Sequence, residues 1–190
     1  IDSWQFPLHF IDFETSTVPL PFHIGRSPYE QIAFQFSHHK VLENGTITHQ
    51  TEFIDAEPGH FPNFEFARAL KQALEENNGS IFMFATHENS ILNAIINQLL
   101  LSKESDKVQL ITFLKSITKS TANNAESWKG DRLMIDLRDI ILKYYYNPLT
   151  KGSNSIKELL PAVLESDKDL QVRYAKCIGE LGISSLNFHS

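Results

Sequence analysis

The chain has 190 residues, 42% of them hydrophobic and 21% charged, a balance that suits one folded domain and excludes a disordered polymer. Its formal charge of −6 weighs against a nonspecific duplex-DNA binder, although clustered metal-binding acids lower the charge in the same way. No apolar run approaches the ~18 residues of a membrane span, no basic-then-apolar leader opens the chain, and the single cysteine, Cys177, excludes an internal disulfide, so a cytoplasmic setting without membrane contact is expected.

In chain order, Leu8 to Thr15 reads as a central strand covered on both sides, apolar except for Asp12 and Glu14. Pro19 and Pro21 interrupt the pattern, and Ile24 to Pro28 reads as loop. Gln31 to His38 alternates as a second strand, Asn44-Gly45 signals a hairpin, and Thr46 to Ile54 returns as a third strand. Phe64 to Glu76 has helical spacing, Ser80 to Ala85 is a short buried strand, and Thr86 caps a helix with Ile91, Leu92, Ile95, Ile96 and Leu99 on one stripe.

Val108 to Ile117 is predicted helical and Thr118 to Asp131 a polar loop. Leu133-Met134-Ile135 leads into a helix from Asp136 to about Tyr146, with at least one ring of Tyr144-Tyr145-Tyr146 expected in the core. Ser155-Ile156-Lys157-Glu158 is a capping-box pattern opening another helix, and Asp169 to Ile178 is predicted helical. The opening at Ile1 and the end in Leu186 to Ser190 give the expectation of a single domain over 1–190 cut from a longer protein.

Chemistry concentrates first at Asp12 and Glu14. Successive strand side chains alternate between faces, so these two share one face, a pleat apart. Buried carboxylates cost several kcal/mol each without a positive partner, and an oxygen-ligated Mg²⁺ or Mn²⁺ is the partner that suits them. Glu88 falls in the first turn of the helix after the fourth strand, where it also complements the helix dipole. Asp136 begins a helix and reads equally as its N-cap. Together these acids could build a site for two metal ions about 4 Å apart.

Lys151-Gly152-Ser153-Asn154-Ser155-Ile156-Lys157 gathers lysines and hydroxyls at a helix start, which suits a phosphate, although capping alone explains the serines. His38, His39 and His87 raise the question of zinc, but neither His-x-x-x-His nor His-Glu-x-x-His occurs. His87 next to Glu88 is a candidate base or substrate contact.

An acid-bearing strand, two antiparallel strands, a helix, a strand, then a helix with an acid near its start resembles the ribonuclease-H-like fold of DnaQ-type exonucleases. More closely, the chain resembles an uncharacterised bacterial domain family placed in that superfamily. The stretches that carry the resemblance are Phe10 to Thr15, Pro28 to Ser37, Ala85 to Asn89, Asp136-Leu137 and Lys151 to Pro161.

The resemblance implies an α/β domain with a mixed sheet, three antiparallel strands plus parallel strands, flanked by helices. It also implies a 3′–5′ exonuclease-like activity on DNA or RNA, with a two-metal Mg²⁺ or Mn²⁺ site. Asp12, Glu14, Glu88 and Asp136 would be the catalytic and metal-ligating residues. Thr15, His87, Lys151, Ser153, Ser155 and Lys157 would contact the substrate, a single strand or 3′ end. Other domains of the full-length chain would be partners.

Glu88 stands where those exonucleases usually carry Asp. Their late-helix motif, His or Tyr shortly before Asp, has no match: Tyr174 is followed by no acid until Glu180. Either the fourth ligand would lie beyond Ser190 or Asp136 would substitute for it. The alternative expectation is a catalytically inactive nucleic-acid-binding or scaffolding module on the same fold.

Overall fold

The computed structural model describes residues 3–175. Cys177, Glu180, the end of the helix expected to reach Ile178, and the closing Leu186 to Ser190 lie outside the described residues. The sheet has five strands: β1 (Leu8–Ser16), β2 (Ile32–Val41), β3 (Ile47–Ile54), β4 (Ile81–Met83) and β5 (Ile135–Asp136), in the order β3-β2-β1-β4-β5. β1, β2 and β3 pair antiparallel, while β4 and β5 join in parallel. The helices are α1 (Asn63–Leu74), α2 (His87–Leu101), α3 (Lys107–Ile117), α4 (Leu137–Tyr144), α5 (Ile156–Ser166) and α6 (Lys168–Tyr174). This is the expected α/β arrangement, a mixed ribonuclease-H-like sheet flanked by helices.

β1 sits at the centre because its alternating residues serve two environments. Ile11 and Phe13 are buried, and Phe13 meets Phe66 of α1 edge-on at 4.9 Å. The stripe Ile91, Leu92, Ile95, Ile96 and Leu99 of α2, with Leu110, Phe113, Leu114 and Ile117 of α3, completes this core. At the start of β1, Phe10 stacks on Phe82 at 4.9 Å, and Trp4 meets Phe82 edge-on. Further along, Asp12 and Glu14 are exposed. The expectation of a strand covered on both faces is therefore corrected. Ile-Asp-Phe-Glu follows the inside–outside alternation of a half-covered strand, and these carboxylates remain in contact with water.

The loops confirm some local signals and revise others. Leu42 N–H donates to Thr46 O at 2.9 Å, closing the hairpin, where Gly45 has φ 81°. Such a φ is cheap only without a Cβ. Thr86 occupies the N-cap of α2 but makes no side-chain capping bond. Ser155 does cap α5, accepting from Lys157 N–H.

α4 ends at Tyr144, two residues short of the expected end, and none of its residues is buried. Tyr144 and Tyr146 are 83% and 88% exposed and Tyr145 is 39% exposed, so no ring of this run enters the core. The helix stops here because Asn147, buried after α4, bonds instead to Ala162 O and Ser166 Oγ of α5. No helix among the described residues is long and apolar enough to cross a membrane.

A buried polar chain stiffens the end of β1 away from the acids. His9 and His38, both fully buried, bond through Nδ1 and Nε2 at 2.8 Å, and His9 Nε2 reaches Asn77 Oδ1 at 2.8 Å. Because Asn77 Oδ1 only accepts, His9 Nε2 donates to it. His9 Nδ1 then accepts from His38 Nε2–H, and His38 Nδ1 accepts from the Thr51 hydroxyl at 2.9 Å. Burial, reinforced by the charge of neighbouring His9, holds His38 down at about 3, and burial lowers His9 as well.

Candidate active site

The parallel half of the sheet delivers acids from three elements to one end of β1. Met83 pairs with Asp136, which places Asp136 at the carboxyl end of β5 beside the end of β4. In open α/β sheets ligands gather at this end of the strands. The turn from β4 into α2 passes through Ala85, whose φ of 69° is the left-handed region that a residue with a Cβ avoids. Ala85 N–H donates to Asp136 Oδ1 at 2.9 Å, so the acid of β5 holds this turn in place. The same oxygen accepts from Arg138 N–H at 2.9 Å and caps α4. Asp136 therefore has the structural role read from its position, while its Oδ2 makes no hydrogen bond among the described residues.

Two residues into α2 lies the least ordinary group of the site. Glu88 is 3% exposed, and its Oε2 is buried without any hydrogen-bond partner. Burial pushes its carboxyl up from 4.5 to about 7, and the negative charges of Asp12 and Asp136 push in the same direction. The structure thus brings Asp12 and Asp136 within charge range of Glu88. Glu14 lies one pleat beyond Asp12 and is exposed. Among the described residues, no three His, Cys, Asp or Glu side chains already stand close enough to chelate an ion. Mutually repelling carboxylates hold apart unless a cation draws them in.

Thr15 Oγ1 lies 3.2 Å from His87 Nε2, tying the end of β1 to the first residue of α2. Next to Thr15 the β1–β2 register shifts: Glu14 pairs with Gln35 and Thr15 with Ala33, leaving Phe34 as the bulged residue. Beyond Ser16 a cavity of about 430 Å³ opens, its walls including Phe22, His23, Ile32, Phe34 and His60. His60 Nδ1 bonds Asp55 Oδ2 at 2.5 Å, and His23 Nδ1 is buried without a partner. The sequence reading overlooked Phe22, His23 and His60, which lie in irregular loops with no periodicity. Their only signal is the presence of aromatic and imidazole side chains between prolines and glycines.

No hydrogen bond among the described residues joins the segment 151–157 to the acids. Lys151 and Gly152 turn the chain with φ of 52° and 79°. Ser153 Oγ accepts from Ser155 N–H at 3.2 Å and Ser155 Oγ from Lys157 N–H at 3.4 Å. These are capping bonds of the loop itself; Lys151 and Lys157 are exposed.

A family model described as Domain of unknown function (DUF2779) matches residues 9–155, which takes in all of β1 but Leu8, together with Glu88, Asp136 and the segment up to Ser155. The chain belongs to that family. No curated protein and no solved structure matches the chain.

Proposed function

We propose that this DUF2779 domain is a divalent-metal-dependent nuclease of the DEDD, ribonuclease-H-like type, removing nucleotides from the 3′ end of single-stranded DNA or RNA. The observation that carries the proposal is Glu88, a buried carboxylate with an unpartnered oxygen in the field of two further acids. Burial and the neighbouring negative charges both disfavour ionised Glu88, a backbone hydrogen bond offsets them only in part, and a cation would relieve the burial and the repulsion together. The donor set, oxygen only and anionic, fits Mg²⁺ or Mn²⁺.

Asp12, Glu14, Glu88 and Asp136 would hold the metal, with Asp136 offering the oxygen not used for capping. When bound, a pair of such ions supplies an activated water and stabilises the leaving oxygen. The chain's own residues do the rest. Thr15 and His87 fix the spacing between β1 and α2 and face the entering end. The cavity beyond Ser16, within the ~300–1,000 Å³ typical of small-molecule sites, takes the terminal nucleoside against Phe22 and Phe34. Lys151, Ser153, Ser155 and Lys157 take backbone phosphate further along.

The test is release of mononucleotides from a single strand labelled at its 5′ end, with Mn²⁺ and with EDTA, for the wild type and Asp12→Ala. The expected result is progressive shortening that needs Mn²⁺ and is lost in the variant. Equal shortening by both proteins would overturn the assignment of Asp12.

A second reading is a nucleic-acid-binding or scaffolding module without catalysis. Glu88, one methylene longer than the Asp of the exonuclease pattern, favours it. Saturable single-strand binding that is indifferent to EDTA, with no cleavage at any Mn²⁺ concentration, would select it.

A further inference from the structure

The second half of the chain carries a surface that the acid site does not use. From Leu137 to Lys157 there are four cations, Arg138, Lys143, Lys151 and Lys157, against one acid, Asp139, in a chain whose formal charge is −6. All four are exposed, and none makes an ion pair among the described residues. Arg26, Lys40, Arg68, Lys71 and Lys115 by contrast each face a carboxylate. Lys103, Lys119, Lys129 and Lys168 are exposed without an ion pair among the described residues as well, so what sets this segment apart is its excess of cations over acids.

Interleaved with these cations are Tyr144 and Tyr146, the most exposed aromatic rings described, at 83% and 88%. Their exposure is fixed rather than incidental. Between them, Tyr145 Oη accepts from Asn147 Nδ2 at 3.0 Å, and the same buried amide holds Ala162 and Ser166 of α5. This latch ends α4 and leaves the two flanking rings facing water.

We infer that α4 and the turn after it form a track for single-stranded nucleic acid leading away from the acid site. The inference rests on the nucleic-acid reading above and adds the path the strand takes. Asp136 caps α4, so the track starts at a proposed metal ligand, and the eight residues of α4 carry it about 12 Å at 1.5 Å per residue. Unpaired cations offer sites for phosphates, whose capture releases counterions, and exposed rings offer faces on which unpaired bases stack. A duplex hides its base faces, so the tyrosines select a single strand.

The test is fluorescence anisotropy of a short labelled oligothymidylate with the whole chain in EDTA, where cleavage plays no part. Tyr144→Ala with Tyr146→Ala should weaken binding about tenfold, within the ~1–3 kcal/mol of a stacked base. Tyr144→Phe with Tyr146→Phe keeps the stacking faces and should bind like the wild type. Arg138→Gln with Lys143→Gln should reduce the slope of log K against log salt by about 0.7 for each lost phosphate contact. Because all four side chains are exposed, circular dichroism and melting should not change.

Wild-type affinity and salt slope in every variant would overturn the track, as would absence of single-strand binding by the wild type or equal affinity for duplex. Failure of the nuclease reading looks different: binding that depends on the track but no Mn²⁺-dependent cleavage. Cleavage with variants indistinguishable from the wild type would overturn the track alone.

Discussion

Replacing Glu88 with Gln should make the protein more stable while removing its metal response. In the fold, Glu88 keeps its proton until about pH 7, whereas in the unfolded chain it ionises near 4.5. The folded state therefore binds the extra proton between these values, and stability falls as pH rises through that window. Below 4.5 both states are protonated and nothing is lost; above 7 the full difference of about 2.5 units applies. At ~1.4 kcal/mol per unit this amounts to about 3 kcal/mol.

Glu88→Gln has no charge to bury, so it should gain up to that amount at about pH 8 and converge with the wild type near pH 4.5. Urea denaturation in EDTA at several pH values measures the difference. Adding Mn²⁺ should then reverse the order, since a ligand at a thousand times its Kd stabilises the wild type by about 4.1 kcal/mol and leaves the variant unaffected. Parallel pH profiles for the two proteins would refute the argument, because they would mean that Glu88 is already compensated.

The buried histidine pair gives a slope of the opposite sign: His38 stays neutral in the fold down to about 3 but titrates near 6.5 when unfolded. Stability from this group is complete above 6.5 and is lost as pH falls towards 3, at about 1.4 kcal/mol per pH unit. His38→Gln should flatten the acid limb of the urea-stability profile, and an unchanged limb would contradict the assignment. Asp136 combines two roles that substitutions separate. Asp136→Asn keeps the Oδ1 acceptor for Ala85 and Arg138 and should retain wild-type stability within about 0.5 kcal/mol, whereas Asp136→Ala should lose about 1–2 kcal/mol. Thermal melts without metal distinguish the two, and equal losses would show that the capping bonds contribute nothing.

Regular elements were legible wherever side-chain periodicity was strong. The strand through Ile11 and Phe13, the Asn44-Gly45 turn and the apolar stripe of α2 each have a local cause, and each appears where expected, although the strand is covered on one face rather than two. Local pattern did not reveal how far the sheet was covered. Asp12 and Glu14 fit a covered strand or a half-covered one equally well, and what packs over them is a long-range fact. The same holds for Glu88: a first-turn acid is ordinary in sequence, and only the fold around α2 buries it and strands its Oε2.

β5 has two residues, too few for any period to register. The tyrosine run looked like a continuation of α4 because helix propensity is blind to Asn147, whose partners lie on α5. His9 and His38 meet across 29 positions, a separation that no window-based pattern spans.

The central claim is that Asp12 and Glu88 belong to one cation site, and titration calorimetry with Mn²⁺ tests it most directly. We predict that the wild-type chain binds Mn²⁺ and releases protons on binding near neutral pH, as Glu88 gives up its hydrogen, and that Asp12→Asn abolishes the heat. Identical isotherms for the two proteins would contradict the account.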